Sequence, residues 1–342
     1  MAYKTLFIAA VAATAFAGAA QARDQIRIVG SSTVFPYTQA VAEEFANSTG
    51  KKAPVVESTG TGGGMKIFCQ GVGVQHPDLT GASRAMKKSE QELCKKNGVT
   101  SITEVLLGYD GLSFATSRKG ADMNVTKPQL FLALAAEVPV NGKIVKNPYT
   151  KWSEIDRSLP DTKIQVFGPP PTSGTRDAWV ELVMEEGCAT FDAVKALDKQ
   201  KHKEVCQRMR QDGPFIEAGE NDNLIVQRLE ADSSAYGIFG FSFLYENKDK
   251  LKGARVAGVE PSFETIETGD YKISRPLFFY IKNAHRGVIP GLTEFVSEYV
   301  SEKSMGPGGY LSERGLVPLG GDKRKEVQQN ALQSKQMARH AM

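Results

Sequence analysis

Short apolar runs alternate along this chain with stretches whose apolar positions recur every three to four residues, the pattern of strands followed by helices. Residues 26–30, Ile-Arg-Ile-Val-Gly, predict a strand; Ser31, Ser32 and Thr33 follow, and a helix opens at Pro36, carries Val41 and Phe45 on one face and stops at Gly50. Proline suits a first turn, where its missing N–H would be unpaired anyway, and glycine suits the left-handed cap. The unit then recurs. Residues 53–59 run into Gly60-Thr61-Gly62-Gly63-Gly64 and a helix over 65–70. Residues 78–83 run into Ser83-Arg84 and another helix, with Ser89 and Glu92 spaced as a capping box. Residues 163–168 pass through Pro169, Pro170 and Pro171 into Thr172-Ser173-Gly174-Thr175-Arg176 and a helix whose apolar face is Ala178, Trp179, Leu182 and Val183.

Alternating strands and helices predict an α/β protein with parallel sheets covered on both faces. At 342 residues there is room for two such units, at about 100–200 residues each. Two apolar runs, 102–117 and 273–282, are placed to cross between them, although each could equally be a core strand of one continuous unit. The expected division is a discontinuous domain I over 24–110 and 274–320, a domain II over 111–273 and a polar tail over 321–342. That tail has a weak helical pattern at Val327, Leu332 and Met337. Asn221-Asp222-Asn223 reads as a helix cap, Trp152 and Trp179 as packing residues, and Phe278-Phe279-Tyr280 as buried strand.

With 41% apolar and 24% charged residues, and a mean hydropathy of -0.29, the bulk of the chain is globular. The net charge of +3 sits largely at the C-terminus, where Lys323, Arg324, Lys325, Lys335 and Arg339 face only Asp322 and Glu326, so the body is close to neutral. Global charge therefore offers no argument for nucleic acid or an anionic membrane, and any anion site must be local. Residues 1–22 read as an export signal: Lys4, an apolar stretch from Leu6 to Ala20, and Ala20-Gln21-Ala22 for cleavage after Ala22 into the periplasm. The stretch is shorter than the ~20 residues that span a bilayer. In that oxidising compartment Cys69, Cys94, Cys188 and Cys206 should form disulfides. Three connectivities exist on paper; pairing neighbours, Cys69 with Cys94 and Cys188 with Cys206, closes moderate loops worth about 3 kcal/mol each. His76, His202, His285 and His340 are scattered without metal-ligand spacing, so neither a metal nor another cofactor is expected.

The chemistry lies in the four loops, each placed between a strand's end and a helix's start and rich in Gly, Ser and Thr. Hydroxyls and unpaired helix N–H groups donate to oxyanions, and glycine lets the backbone approach. In open α/β sheets such loops converge beyond the strand ends. Gly30-Ser31-Ser32-Thr33-Val34-Phe35-Pro36, Gly60-Thr61-Gly62-Gly63-Gly64, Gly81-Ala82-Ser83-Arg84 and Ser173-Gly174-Thr175-Arg176 together resemble the periplasmic phosphate-binding proteins of ABC transporters, over nearly all of the chain after the signal. Trp152-Ser153-Glu154-Ile155 and Ala235-Tyr236-Gly237-Ile238 resemble further segments of that family.

The resemblance implies a two-lobed type II periplasmic binding protein fold with two sheets, and a monomer that holds inorganic phosphate between the lobes for a membrane permease. It carries over Ser32, Thr33, Val34 and Phe35 as the first anion loop, Thr61 as the second loop's hydroxyl, Ser83 with Arg84, and Ser173, Gly174, Thr175 and Arg176. Two departures matter. Arg84 stands where many members have an acid, and Pro169, Pro170 and Pro171 stand where an arginine is often found, so positive charge must come from Arg84 or Arg176. The alternatives are a site for sulfate or molybdate, an adhesion protein on the same scaffold, or a secreted serine hydrolase using Ser32 or Ser173. The chain has neither GxSxG nor GxxxxGK[ST], which weighs against the hydrolase and against a nucleotide enzyme.

Overall fold

The structure, a computed structural model, describes residues 23–219 and 222–338; the signal segment, Asn221 and His340 lie outside the described residues. Strand β1 (Arg27–Gly30) leads to helix α1 (Phe35–Thr49), β2 (Val55–Ser58) to α2 (Thr61–Phe68), and β3 (Leu79–Ala82) to α3 (Lys88–Lys96). Both β2 and β3 pair in parallel with β1, so the three loops leave the sheet on one edge. Pro36 sits in the first turn of α1 and Gly50, at φ 69°, caps its end. The capping of α3 differs from the Ser89/Glu92 expectation: the helix begins earlier, and Glu90 accepts from the Lys87 N–H at 2.8 Å.

Strand β4 (Ile102–Ser117) is the longest and changes partners along its length. In the second half of the chain, β5 (Val166–Gly168) leads to α4 (Gly174–Trp179), α5 (Asp222–Ala231) precedes β6 (Tyr236–Gly240), and β7 (Ser274–Lys282) returns. Ile102–Gly111 of β4 pairs antiparallel with β7, whereas Leu112–Thr116 pairs antiparallel with β6, which runs parallel to β5. The result is one nine-stranded sheet in the order β2-β1-β3-β7-β4-β6-β5 followed by Phe215–Glu217, with Leu251–Gly253 also on β4. The register shifts where Leu277 and Phe278 of β7 face Gly108 and Leu106, so Leu107 of β4 is the extra residue of a β-bulge, an irregularity that bends a strand. Gly108 is required there because a Cβ would lie 2.6 Å from the Val317 carbonyl oxygen, and Val317 exchanges backbone hydrogen bonds with Tyr109.

Apolar side chains collect on either side of this crossing. One core gathers Val34, Val41, Phe45, Val105, Leu107 and Phe279 with the helix Leu292–Tyr299. Another gathers Leu112, Phe114, Trp152, Trp179, Ile238 and Phe239. Within it Phe114 stacks on Tyr236 at 5.0 Å and meets both tryptophans, ring contacts worth about 0.5–1.5 kcal/mol each beyond burial. The segment after Gly320 forms α6 (Gly321–Leu332), which buries Val327 and Ala331 against the first core, so the weak periodicity is a docked helix. Disulfides join Cys69 to Cys94 and Cys188 to Cys206.

Candidate functional site

Three glycines, one from each loop of the first lobe, pack backbone on backbone. A Cβ on Gly30 would lie 2.2 Å from the Gly81 carbonyl oxygen, one on Gly64 would lie 2.4 Å from the Gly30 Cα, and one on Gly81 would lie 2.9 Å from Val34 Cγ1. No side chain fits these gaps, and their closure brings the loops after β1, β2 and β3 together. Ser83 donates its N–H to Thr61 Oγ1 at 3.1 Å, and the two hydroxyls lie 3.0 Å apart. One hydroxyl proton satisfies that pair, leaving the other free to donate outward.

In the first loop, Ser31 rather than Ser32 caps the turn: its Oγ accepts from the N–H groups of Thr33 at 3.2 Å and Val34 at 3.4 Å. The Phe35 N–H donates to the Ser31 carbonyl, and the Val34 side chain is fully buried in the core. Ser32 is half-buried and Thr33 buried, both at the mouth of the loop. In the second lobe, Ser173 caps α4 by accepting from the Thr175 N–H at 3.2 Å. Gly174 faces the first lobe directly, since a Cβ there would lie 3.6 Å from the Ser32 carbonyl oxygen and 3.8 Å from the Thr33 Cα. Hydroxyl-bearing loops from both lobes therefore meet at one place.

The predicted cations are already engaged. Arg84 forms a two-pronged pair with Glu90, at 2.9 and 2.7 Å, and donates to the Ala85 carbonyl. That pairing raises the Arg84 pKa above its ordinary value, led by the hydrogen bonds to Glu90. Tyr280 braces the same loop from below, accepting from the Met86 N–H and donating to Glu104. Arg176 turns away from the meeting point: it donates to the Pro169 carbonyl at 3.0 Å, lies over the Phe215 ring at 4.7 Å and approaches Glu217 at 3.7 Å.

Sequence reasoning missed the most buried guanidinium in the region. Arg275, 6% exposed, opens β7 beside the crossing and donates to Thr33 Oγ1 at 2.6 Å, to Asp110 Oδ2 at 3.4 Å and to Glu181. Asp110 is buried, which pushes its pKa up, while the facing Arg275 pulls it back. The sequence signal is a charged residue inside each of the two apolar runs expected to cross between lobes; that Arg275 faces Asp110 follows from the register. Asp222 is also buried and accepts from the Gly240 N–H at 3.3 Å, whereas Asp177 is exposed. Burial first, then the charges of Asp110 and Asp222, push the Tyr37 hydroxyl pKa far up, placing both acids within electrostatic reach of it.

A groove of about 690 Å³ opens elsewhere on the second lobe, lined by Arg118, Tyr236, Tyr245, Lys248 and Phe263. None of the four strand-to-helix loops lines it, and the loops remain the candidate site.

Comparison with known proteins identifies the family. Residues 15–303 match a family described as the PBP superfamily domain. Protein SphX of Synechococcus elongatus is 31% identical over 91% of this chain and 83% of its own length. The phosphate-binding protein PstS of Staphylococcus haemolyticus is 28% identical over 83% of this chain and 79% of its own. Among solved structures, a possible phosphate binding protein from Planctomyces limnophilus superposes with a TM-score of 0.71 at 30% identity, covering 91% of this chain and 99% of that one. Two lobes bridged by β4 and β7, loops that meet between them and a match spanning most of the sequence lead to one conclusion: the chain belongs to the PBP superfamily.

Proposed function

We propose that this protein is an exported substrate-binding protein that captures inorganic phosphate between its lobes and delivers it to the permease of an ABC importer. The observation that supports this most is the approach of Gly174 to Ser32 and Thr33, which sets hydroxyl and N–H donors of both lobes around one point. A tetrahedral oxyanion needs donors on several sides, and neither lobe supplies them alone. The relatives named as phosphate-binding proteins cover most of the chain.

On this reading Ser32, Thr33, the Val34 backbone, Thr61, Ser83 and Arg84 face the anion from the first lobe, and Ser173, Gly174 and Thr175 from the second. Phe35 and Arg176 support the loops instead, because the Phe35 N–H donates to the Ser31 carbonyl and Arg176 is stacked on Phe215. The lobes divide at 110/111, one residue before β4 changes partners, and at 273/274, where β7 begins. The protein acts as a monomer in the periplasm after removal of residues 1–22. The hydrolase alternative is not favoured: His285 is bonded to Asp78 and the Gly73 N–H, His202 lies against Cys206, and among the described residues no histidine is hydrogen-bonded to Ser32 or Ser173.

Calorimetric titration of phosphate-stripped protein with phosphate, arsenate, sulfate and molybdate tests the reading. Saturable one-to-one binding of phosphate is expected. No heat with any of the four would refute it, and a preference for sulfate or molybdate would reassign the ligand.

A further inference from the structure

Arg275 joins parts of the molecule that lobe opening must separate. Its Nη2 reaches Thr33 in the first anion loop, its Nη1 reaches Glu181 in the helical segment after the second-lobe loop, and its Nε faces Asp110 on the crossing strand. Glu181 belongs to a π-helical stretch, Val180–Glu185, that continues directly from α4. A guanidinium has donors only, so Thr33 Oγ1 must accept from it. The Thr33 hydroxyl proton then cannot point back at Arg275. It is left to donate elsewhere, and the second-lobe loop stands close by, with the Cβ position of Gly174 3.8 Å from the Thr33 Cα.

We infer that Arg275 is a positioning residue that makes Thr33 an obligatory hydrogen-bond donor to the bound anion and latches the two lobes together through Glu181. The inference rests on the phosphate-binding reading for its ligand, but the latch itself is defined by protein contacts alone. Opening by rotation about β4 and β7 moves Thr33 away from Glu181, so at least one charge-assisted bond of Arg275 breaks. Each anion capture that draws on the Thr33 hydroxyl therefore favours the arrangement in which Arg275 still reaches both partners. Lysine at 275 keeps the charge but not the planar fork that meets three acceptors at once.

The test uses full-length mature protein carrying one spin label per lobe, at exposed Glu43 and Lys203. In phosphate-free buffer, Glu181→Gln and Arg275→Lys should both shift the interlobe distance distribution toward longer values than wild type. By calorimetry Arg275→Lys should weaken phosphate binding by about 10- to 100-fold, the effect of losing a hydrogen bond to a charged group. A double-mutant cycle of Arg275→Lys with Thr33→Val should be strongly non-additive, which a purely structural role for Arg275 would not produce. Should Arg275→Lys fold poorly, Glu181→Gln still decides the latch, because Glu181 is largely solvent-exposed and lies outside the proposed anion contacts. Unchanged distances in both variants, or additive losses in the cycle, would overturn the inference. A wild-type protein that bound no tetrahedral anion would refute the functional reading instead, while the distance measurement would still decide the latch.

Discussion

Replacing Gly64 with alanine should destabilise the protein, although alanine is the better helix former and Gly64 lies inside α2. At an unconstrained helical position the change favours folding by about 0.5–1 kcal/mol. Gly62, two residues earlier in the same helix, is such a position, with nothing within 4 Å of its Cβ site. At Gly64 the new methyl would lie 2.4 Å from the Gly30 Cα and 2.9 Å from the Gly30 nitrogen. Comfortable carbon–carbon separations are about 3.5–4.0 Å, so α2 must retreat from β1 by roughly an ångström. Overpacking of this kind costs about 1–3 kcal/mol, and backbone cannot swing aside as a flexible side chain can. The two variants should therefore move in opposite directions and end about 2–3 kcal/mol apart. Urea unfolding in phosphate-free buffer, followed by circular dichroism, reads this as a higher midpoint for Gly62→Ala and a lower one for Gly64→Ala. Retreat of α2 would also carry Thr61 away from Ser83, so Gly64→Ala should bind phosphate more weakly. Equal midpoints would refute the claim that backbone contact between the glycines holds the loops together.

Arg84→Ala should weaken phosphate binding by about 1.5–3 kcal/mol, and Glu90→Gln by less, because Glu90 only aims the guanidinium; calorimetry showing neither loss would remove Arg84 from the site. Replacing Cys188 and Cys206 by serine opens a bridge of sequence separation 18 and should cost about 3 kcal/mol in urea unfolding, with no loss indicating that packing alone closes this loop. Lys282 is buried over Phe68, and burial lowers its pKa to about 8. The unfolded chain then holds a proton that the folded one has lost between pH 8 and about 10.4, so stability relative to Lys282→Met should rise with pH across that window; a flat difference would mean the ammonium is not desolvated. Asp222→Asn should let excess sulfate compete with phosphate where the wild type rejects it, and retained rejection would shift the acceptor role to Asp110.

The loops were legible in the sequence because each device that shapes them is local. A strand, a run of small hydroxyl residues and a helix start identify themselves within a dozen positions, and all four loops lie where this pattern put them. By pattern the glycines make room for a ligand, but Gly30, Gly64 and Gly81 make room for one another, a contact between loops that no local pattern encodes. Arg84 and Arg176 stood out as cations beside the motifs, yet a guanidinium reaches far, and what it pairs with depends on Glu90 in the next helix or Phe215 on a neighbouring strand. Arg275 and Asp110 were hidden for the opposite reason. Each sits in an apolar run, where strand periodicity is the louder signal, and their pairing across β4 and β7 appears only once the register is fixed.

The pairing of these cations bears on how the site can hold an anion at all. Arg84 faces Glu90, Arg176 approaches Glu217, and Arg275 meets both Asp110 and Glu181, so none of these three guanidiniums brings an uncompensated charge. An arriving anion gains little from net attraction and must be held by donors in fixed positions: the Thr33 hydroxyl, the Thr61–Ser83 pair and the N–H groups that open the helices. Such an arrangement separates affinity from charge. A strongly positive pocket would favour sulfate over a phosphate that still carries a proton, whereas a compensated one responds to hydrogen-bond matching. Phosphate can then use its proton as a donor toward a buried carboxylate, a contact that fully ionised sulfate cannot make and that would leave two negative groups facing each other. Asp110 and Asp222 are the buried acids nearest this place, and the burial that raises the Asp110 pKa makes it the better partner for a shared proton. Arg84, standing where many related chains have an acid, therefore need not abolish discrimination, because the acceptor can enter from the crossing strand or the second lobe.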